Sequence, residues 1–159
     1  MTNKLTLDEE LAAAVAIVRI GLDRIRDAAC RTEQVGPHVA ALLALYDASN
    51  PDKGVLAAVS DVIGTIAVSV TEVDHDDIGR VTELLDEAQG VVQDSTGDRI
   101  RHALDLLSPL LFTCETCGKR QPDVTVMDAP HAAAVDPESP VHPQITLCPS
   151  CATDRFEES

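Results

Sequence analysis

Four of the five cysteines form two pairs with the same spacing near the C-terminus of the chain. Two residues separate Cys114 from Cys117, two separate Cys148 from Cys151, and thirty residues lie between the pairs. Two residues between cysteines let a tight turn present both sulfur atoms to one ion at about 2.3 Å. Two such pairs supply the four thiolates of a tetrahedral zinc site. We therefore predict that Cys114, Cys117, Cys148 and Cys151 bind one structural Zn²⁺, with no position left open for water.

A redox dithiol is the alternative chemistry for these cysteines. A thioredoxin-like site needs a single C-x-x-C after a strand in a βαβ unit, and neither pair lies in such a setting. The fifth cysteine, Cys30, falls near the end of the first predicted helix and is interpreted as a small core residue.

A second set of potential ligands lies on the loop between the pairs. It comprises Asp128, His131, Asp136 and His142. Carboxylate and imidazole groups on a loop are usually solvated, although together these four offer a second metal site.

The Asp74–Asp77 run, which includes His75, suits the N-terminus of a helix, where the helix dipole favours negative charge. No nucleophile triad or phosphate-binding glycine loop is present, so we predict no catalytic residue.

Residues 1–110 carry the periodicity of amphipathic helices. Thr6 and Glu9 form a capping box, and the apolar residues from Leu11 to Ala29 recur every three or four positions, which predicts a first helix running to about Glu33. This seam fits packing within a bundle, and a homodimer through the same helix is the alternative. We predict a second helix after Gly36-Pro37 and a third that begins with Asn50 as its N-cap and Pro51 at the first helical position. A fourth helix follows Asp77. A fifth follows a turn at 95–98 and ends at Pro109.

One stretch of the third helix is ambiguous. The segment 65–71 is rich enough in β-branched residues to form a strand, but its neighbours are helical and no partner strand precedes residue 110. The prediction is therefore mainly α: an antiparallel bundle of four to five helices over residues 1–110.

Composition changes at about Leu110. Five of the nine prolines lie between the two cysteine pairs, and strand-like runs occupy 123–127 and 144–147. We predict that residues 111–159 form a small module with a short β-hairpin between two cysteine turns, and that 152–157 form a final short helix. Zinc would replace the core that so short a module can hardly build.

This module resembles the zinc-ribbon and treble-clef group of zinc fingers. The resemblance covers residues 111–159 only and rests on Cys114-x-x-Cys117-Gly118-Lys119, the two strands and Leu147-Cys148-x-x-Cys151. A fainter resemblance is to HNH nucleases, which carry an Asp-His or His-His pair in the strand between such turns. Here the nearest equivalents, Asp128 and His131, are separated by two residues, so the catalytic pair is not intact.

The charge balance argues against nucleic acid as a ligand. The formal net charge is −15, made of −10 over residues 1–110 and −5 over residues 111–159. Neither part offers the basic surface that phosphate binding requires, and three aromatic residues make no stacking platform. We expect a non-enzymatic adaptor or regulator that binds a protein partner. The alternatives are a nucleic-acid-associated transcriptional accessory, an acidic nucleic-acid mimic and, least of all, an HNH-like nuclease.

The compartment follows from the termini and the thiols. The first ten residues lack the basic and apolar regions of a signal peptide. The longest apolar stretch, 55–70, falls short of the ~20 residues that span a bilayer. Reduced thiols suit the cytoplasm, so we predict a cytoplasmic protein without a membrane segment.

Overall fold

A computed structural model describes residues 5–31, 34–129 and 142–157 of the protein. The fold is mainly helical with a small C-terminal antiparallel sheet, as predicted from the sequence. The helices are α1 Leu7–Ala29, α2 Val35–Leu45, α3 Val55–Val70, α4 Ile78–Gly90, α5 Thr96–Leu107 and α6 Pro149–Glu157, and the strands are β1 Thr125–Asp128 and β2 Gln144–Leu147.

Helix α1 begins at the predicted capping box. The Thr6 hydroxyl accepts the Glu9 amide at 3.3 Å, and the Glu9 carboxylate accepts the Thr6 amide at 2.8 Å. The Thr6 amide and the Thr6 hydroxyl both donate hydrogen bonds to the Glu9 carboxylate and lower the pKa of Glu9. The helix ends at Ala29, four residues before the predicted end, with Cys30 as its C-cap.

The start of α3 differs from the prediction. Asn50 and Pro51 lie in a turn, and the helix begins after Gly54, whose φ of +98° lies in the left-handed region that favours glycine. A side chain at Gly54 would also meet the Leu45 carbonyl oxygen at 2.8 Å. The chain therefore needs glycine where it passes close to the end of α2, which local capping preferences did not indicate. The ambiguous segment 65–71 is helical through Val70, as predicted.

The predicted turn at 95–98 is also wrong, because α4 continues into α5. Residues Val91–Ser95 form a single π-helical turn, and the backbone stays in the right-handed helical region through Thr96. Gln93 in this turn accepts a hydrogen bond from the Ser60 hydroxyl at 2.8 Å, and Ser60 is 1% exposed on α3. Gly97 is needed for packing, since a Cβ atom there would overlap the ring of Tyr46.

Packing among the helices leaves α1 largely uncovered. Helix α3 packs along α4, α2 contacts α5, and α1 contacts α2. The most buried apolar residues of these helices are Val39, Ala67 and Leu104, whereas α1 has no buried residue. Among the described residues, no helix is both long and apolar enough to cross a membrane.

The C-terminal part has its own apolar cluster. Strand β1 pairs antiparallel with β2, Thr125 opposite Leu147 and Asp128 opposite Gln144. The predicted strands and final helix are therefore present, with β1 beginning two residues later than expected. The cluster consists of Val124, Ile145, Leu147, Cys114, Cys148 and Cys151.

The bundle and this C-terminal part touch at the start of α2. A Cβ atom on Gly36 would overlap the backbone carbonyl oxygen of Pro122, which lies just before β1. Glycine at this position therefore lets the helix approach the module backbone closely.

We expect Gly36→Ala to lower the free energy of unfolding by about 1–3 kcal/mol, the usual cost of overpacking, as measured by urea titration of the metal-loaded protein. Gly79→Ala is the matched control, because a Cβ atom on this exposed helical glycine meets nothing within 4 Å. That control should gain roughly 0.5–1 kcal/mol, the usual preference of a helix for alanine. An equal gain in both variants would contradict the contact at Pro122.

Candidate metal centre

The first cysteine pair lies in a tight turn. The Cys114 amide donates to the Lys119 carbonyl at 2.8 Å, and the Gly118 amide donates to the Cys114 carbonyl at 2.9 Å. Gly118 has a φ of +70°, which favours glycine at this place in the turn. Thr113 and Arg120 form a β-bridge across its base. This hairpin directs Cys114 and Cys117 to the same side.

The second pair lies where β2 passes into α6. Leu147 is completely buried at the end of the strand, Cys148 precedes the helix, and Cys151 lies in its first turn. Pro149 is the first helical residue, where its missing amide hydrogen costs no hydrogen bond. The Ala152 amide donates to the Cys148 carbonyl at 3.0 Å and so closes the turn.

Glu115 joins the two cysteine turns. Its amide donates to the Thr146 carbonyl at 2.9 Å, and its carboxylate accepts the Thr146 amide at 2.8 Å. The first turn is thereby held against β2, next to the second pair. Sequence reasoning did not assign a role to Glu115, and its only signal was its place between two ligands.

The four sulfur atoms gather at one point. The Sγ atoms of Cys114, Cys117, Cys148 and Cys151 all lie within 4.8 Å of one another, and the four residues form no disulfide. The Cys117 and Cys148 sulfur atoms are 3.9 Å apart. A tetrahedron with metal–sulfur bonds of about 2.3 Å requires sulfur atoms roughly 3.8 Å apart. The donor set therefore fits one tetrahedral metal ion.

Backbone and side-chain donors prepare two of the thiols for ionisation. The amides of Cys117 and Cys148 donate to the Cys114 sulfur and lower the pKa of that thiol to about 6. The Ser150 hydroxyl, 3.3 Å from the Cys148 sulfur, lowers the pKa of Cys148. The cluster thus offers thiolates, the form that binds metal, near neutral pH.

Cys151 behaves in the opposite way. Its hydrogen bond to the Cys148 sulfur, together with burial, raises the pKa of Cys151 to about 12. Cys151 therefore keeps its proton until a metal ion compensates the charge of the cluster. Metal binding must therefore release protons, as expected for a thiolate site.

Exposure differs among the four cysteines. Cys114, Cys148 and Cys151 are buried, at 0%, 3% and 8% exposure, whereas Cys117 is exposed. An ion bound here would lie at the edge of the apolar cluster and link β2 and α6 to the first turn. Such a position is typical of a structural metal that joins short elements.

Two of the four other candidate ligands, Asp128 and His142, lie among the described residues. Asp128 accepts a hydrogen bond from the Gln144 side chain across the hairpin, and His142 is half-buried near the start of β2. His131 and Asp136 lie outside the described residues, so a second metal site on the loop stays an alternative. Among the residues that the structure describes, the cysteines are the sole group of three or more potential ligands placed to share an ion.

His75 has a structural role at the start of α4. Its Nδ1 atom accepts a hydrogen bond from the Asp77 amide at 3.2 Å, and its carbonyl oxygen accepts one from the Ile78 amide at 3.2 Å. Asp77 is the N-cap residue but makes no capping hydrogen bond through its side chain. The acidic run therefore begins the helix as predicted, although the ordering contacts come from His75.

Comparisons with known proteins assign this chain to no family. No protein-family model matches the chain, and neither the curated proteins nor the solved structures contain a significant match.

Proposed function

We propose that this chain is a non-enzymatic interaction protein whose C-terminal module is held together by one structural zinc ion. The observation that carries the proposal is the convergence of four thiol groups within 4.8 Å. Four thiolates fill the coordination sphere of a tetrahedral ion, which leaves no position for the water or substrate that a catalytic metal requires. The ion would therefore stabilise a fold and perform no chemistry.

Zinc is favoured over the other metals that four thiolates bind. Tetrahedral sulfur sites hold zinc or iron, and a structural zinc ion compensates for a core as small as this one. Because free thiols persist in a reducing compartment, we place the protein in the cytoplasm. The module we propose is zinc-finger-like, of the zinc-ribbon and treble-clef group.

Binding of another protein is the activity that the surface supports. Large apolar side chains stand exposed on α1 and on α3, including Ile17 at 70% and Val68 at 72%. Exposed apolar surface of this extent marks interaction sites in soluble proteins. The net charge of −15 favours a partner with a basic rim around its own apolar surface.

The metal assignment is tested by elemental analysis of the reduced, purified protein. We expect one zinc per chain, no iron, and four additional reactive thiols once a chelator removes the metal. Iron with its visible absorption, or metal-free protein whose cysteines form disulfides, would overturn the assignment.

The interaction role is tested by affinity capture with the zinc-loaded chain, followed by reconstitution of binding with the purified partner. We expect a stoichiometric complex that weakens when exposed apolar residues are replaced by glutamate. A nucleic acid as the captured species, or hydrolysis of plasmid DNA with added divalent metal, would instead support the alternatives. A purified candidate that fails to bind would overturn the adaptor role.

A further inference from the structure

The middle of α1 is apolar on every side and yet exposed. Between Leu11 and Leu22, Arg19 is the single polar side chain among twelve residues. The exposed fractions of Leu11, Val15 and Ile17 are 56%, 58% and 70%. A helix that is apolar all round belongs in the interior of a protein. This segment therefore offers an apolar surface that a second protein surface can cover.

An apolar groove adjoins the same helix. It has a volume of about 510 Å³ and lies between the C-terminal half of α1 and one face of α3. A Cβ atom on Gly21, at the groove wall, would meet nothing within 4 Å, so a second helix has room to approach closely. The walls include Val18, Leu22 and Ile25 of α1 and Val59, Val62 and Ile63 of α3.

The apolar seam of α1 is symmetric about its centre. Leu11, Val15, Val18 and Leu22 follow one another at intervals of four, three and four residues, the spacing of a coiled-coil seam. If a second α1 runs antiparallel, Leu11 lies level with Leu22 of the other copy, and Val15 lies level with Val18. A self-complementary patch of this kind is what a two-fold symmetric dimer requires.

The charges of α1 favour the antiparallel direction. Its first turn holds Asp8, Glu9 and Glu10, whereas all its basic residues lie in the second half. Asp8 continues the seam toward the N-terminus, so a parallel pair would bring two Asp8 carboxylates together. An antiparallel pair instead places Glu9 level with Arg24 of the other copy, whereas Arg26 pairs with Asp23 and Asp27 of its own helix and Glu10 lies level with Asp23. Opposed helix dipoles favour the same direction.

The exposed apolar surface extends along most of α1 and onto α3. Leu11, Val15, Val18 and Leu22 are all at least 40% exposed on α1, and Val59 and Val62 are exposed on α3. A second copy would therefore meet a continuous apolar surface.

We propose that two copies of this chain associate through antiparallel α1 helices, with the N-terminal half of each helix seated in the groove between α1 and α3 of the other. This goes beyond the proposed function, because it assigns the exposed surface of α1 to a second copy and leaves the exposed Val68 region of α3, outside the groove, for a different partner. A zinc-loaded monomer that still binds a different protein would refute the dimer proposal and leave the adaptor proposal standing. A dimer that binds no different protein would refute the adaptor proposal and leave the dimer proposal standing.

Sedimentation equilibrium of the zinc-loaded full chain is the first test. We expect the mass of two chains at micromolar concentration, and Val15→Glu should give the mass of one chain with unchanged helical circular dichroism. Val68→Glu is the matched control, since Val68 is exposed on α3 away from the groove, and it should remain a dimer. A wild-type monomer at all concentrations, or a dimer that Val15→Glu leaves intact, would overturn the proposal.

The direction of the helices is tested on the wild-type chain, independently of how any variant folds. Cys30 is exposed at the end of α1 and lies outside the four-cysteine cluster. Spin labels on the two Cys30 residues should be about 40 Å apart, because 27 residues at 1.5 Å each separate their levels along the antiparallel pair. A separation below about 20 Å would establish a parallel pair and refute the proposed arrangement.

Discussion

Replacement of Cys117 by serine is expected to abolish stoichiometric zinc binding and to unfold the C-terminal module, while most helical circular dichroism remains. Cys117 is the exposed member of the cluster, so the substitution removes a ligand with little loss of packing. Structural zinc contributes about 10–16 kcal/mol to the folding of zinc-finger peptides. A whole domain is stable by only about 5–15 kcal/mol, so loss of one ligand is enough to unfold a module with so small an apolar cluster.

The measurement combines metal content, far-ultraviolet circular dichroism and the nuclear magnetic resonance amide spectrum of the module. Cys30→Ser is the matched control, because Cys30 is the other exposed cysteine and lies outside the cluster. It should retain one zinc per chain. Loss of the entire helical signal in Cys117→Ser would show that the bundle cannot fold without the module, and would refute independent parts at 1–110 and 111–159.

Replacement of Leu104 by alanine is expected to have the reciprocal effect. Leu104 is 7% exposed on α5 and is one of the few large side chains buried among the bundle helices. Truncation of a buried leucine costs about 2–5 kcal/mol. That corresponds to a decrease in Tm on the order of 10 °C or more for a domain of this size. Zinc content should stay at one per chain, because the cysteine cluster lies on other elements.

The control for this variant is Leu106→Ala on the same helix. Leu106 is 77% exposed, and its truncation should change stability by less than about 0.5 kcal/mol. Thermal unfolding followed by circular dichroism distinguishes the two variants. Equal Tm values would mean that Leu104 is not part of the bundle core, and a loss of zinc in Leu104→Ala would mean that the two parts fold as one unit.

The four-cysteine cluster could be predicted from the sequence because its determinants are local. The spacing of Cys114 and Cys117, and of Cys148 and Cys151, is set by what one tight turn can present to an ion. The capping box at Thr6 and Glu9 is local in the same sense, since both partners lie within one turn. Such features need no knowledge of distant contacts.

The errors of prediction arose where distant contacts override local preference. Gly97 suggested a turn between two helices. In the structure it allows the Tyr46 ring to pack against α5, which continues from α4. Gln93 lies in a π-helical turn and accepts a hydrogen bond from Ser60, which is distant in sequence. Gly54, and not Asn50, begins α3 because the chain must pass close to the Leu45 carbonyl.

By itself, the sequence determined the helical periodicity, the strands of the module and the four cysteines, since each depends on neighbours along the chain. Only the tertiary structure decided that Glu115 clamps the two cysteine turns through Thr146, and that α2 meets the module at Gly36. It also decided that α1 has no buried residue, although it contacts α2. A seam predicts that a helix is covered, but which surface covers it depends on contacts between residues far apart in sequence.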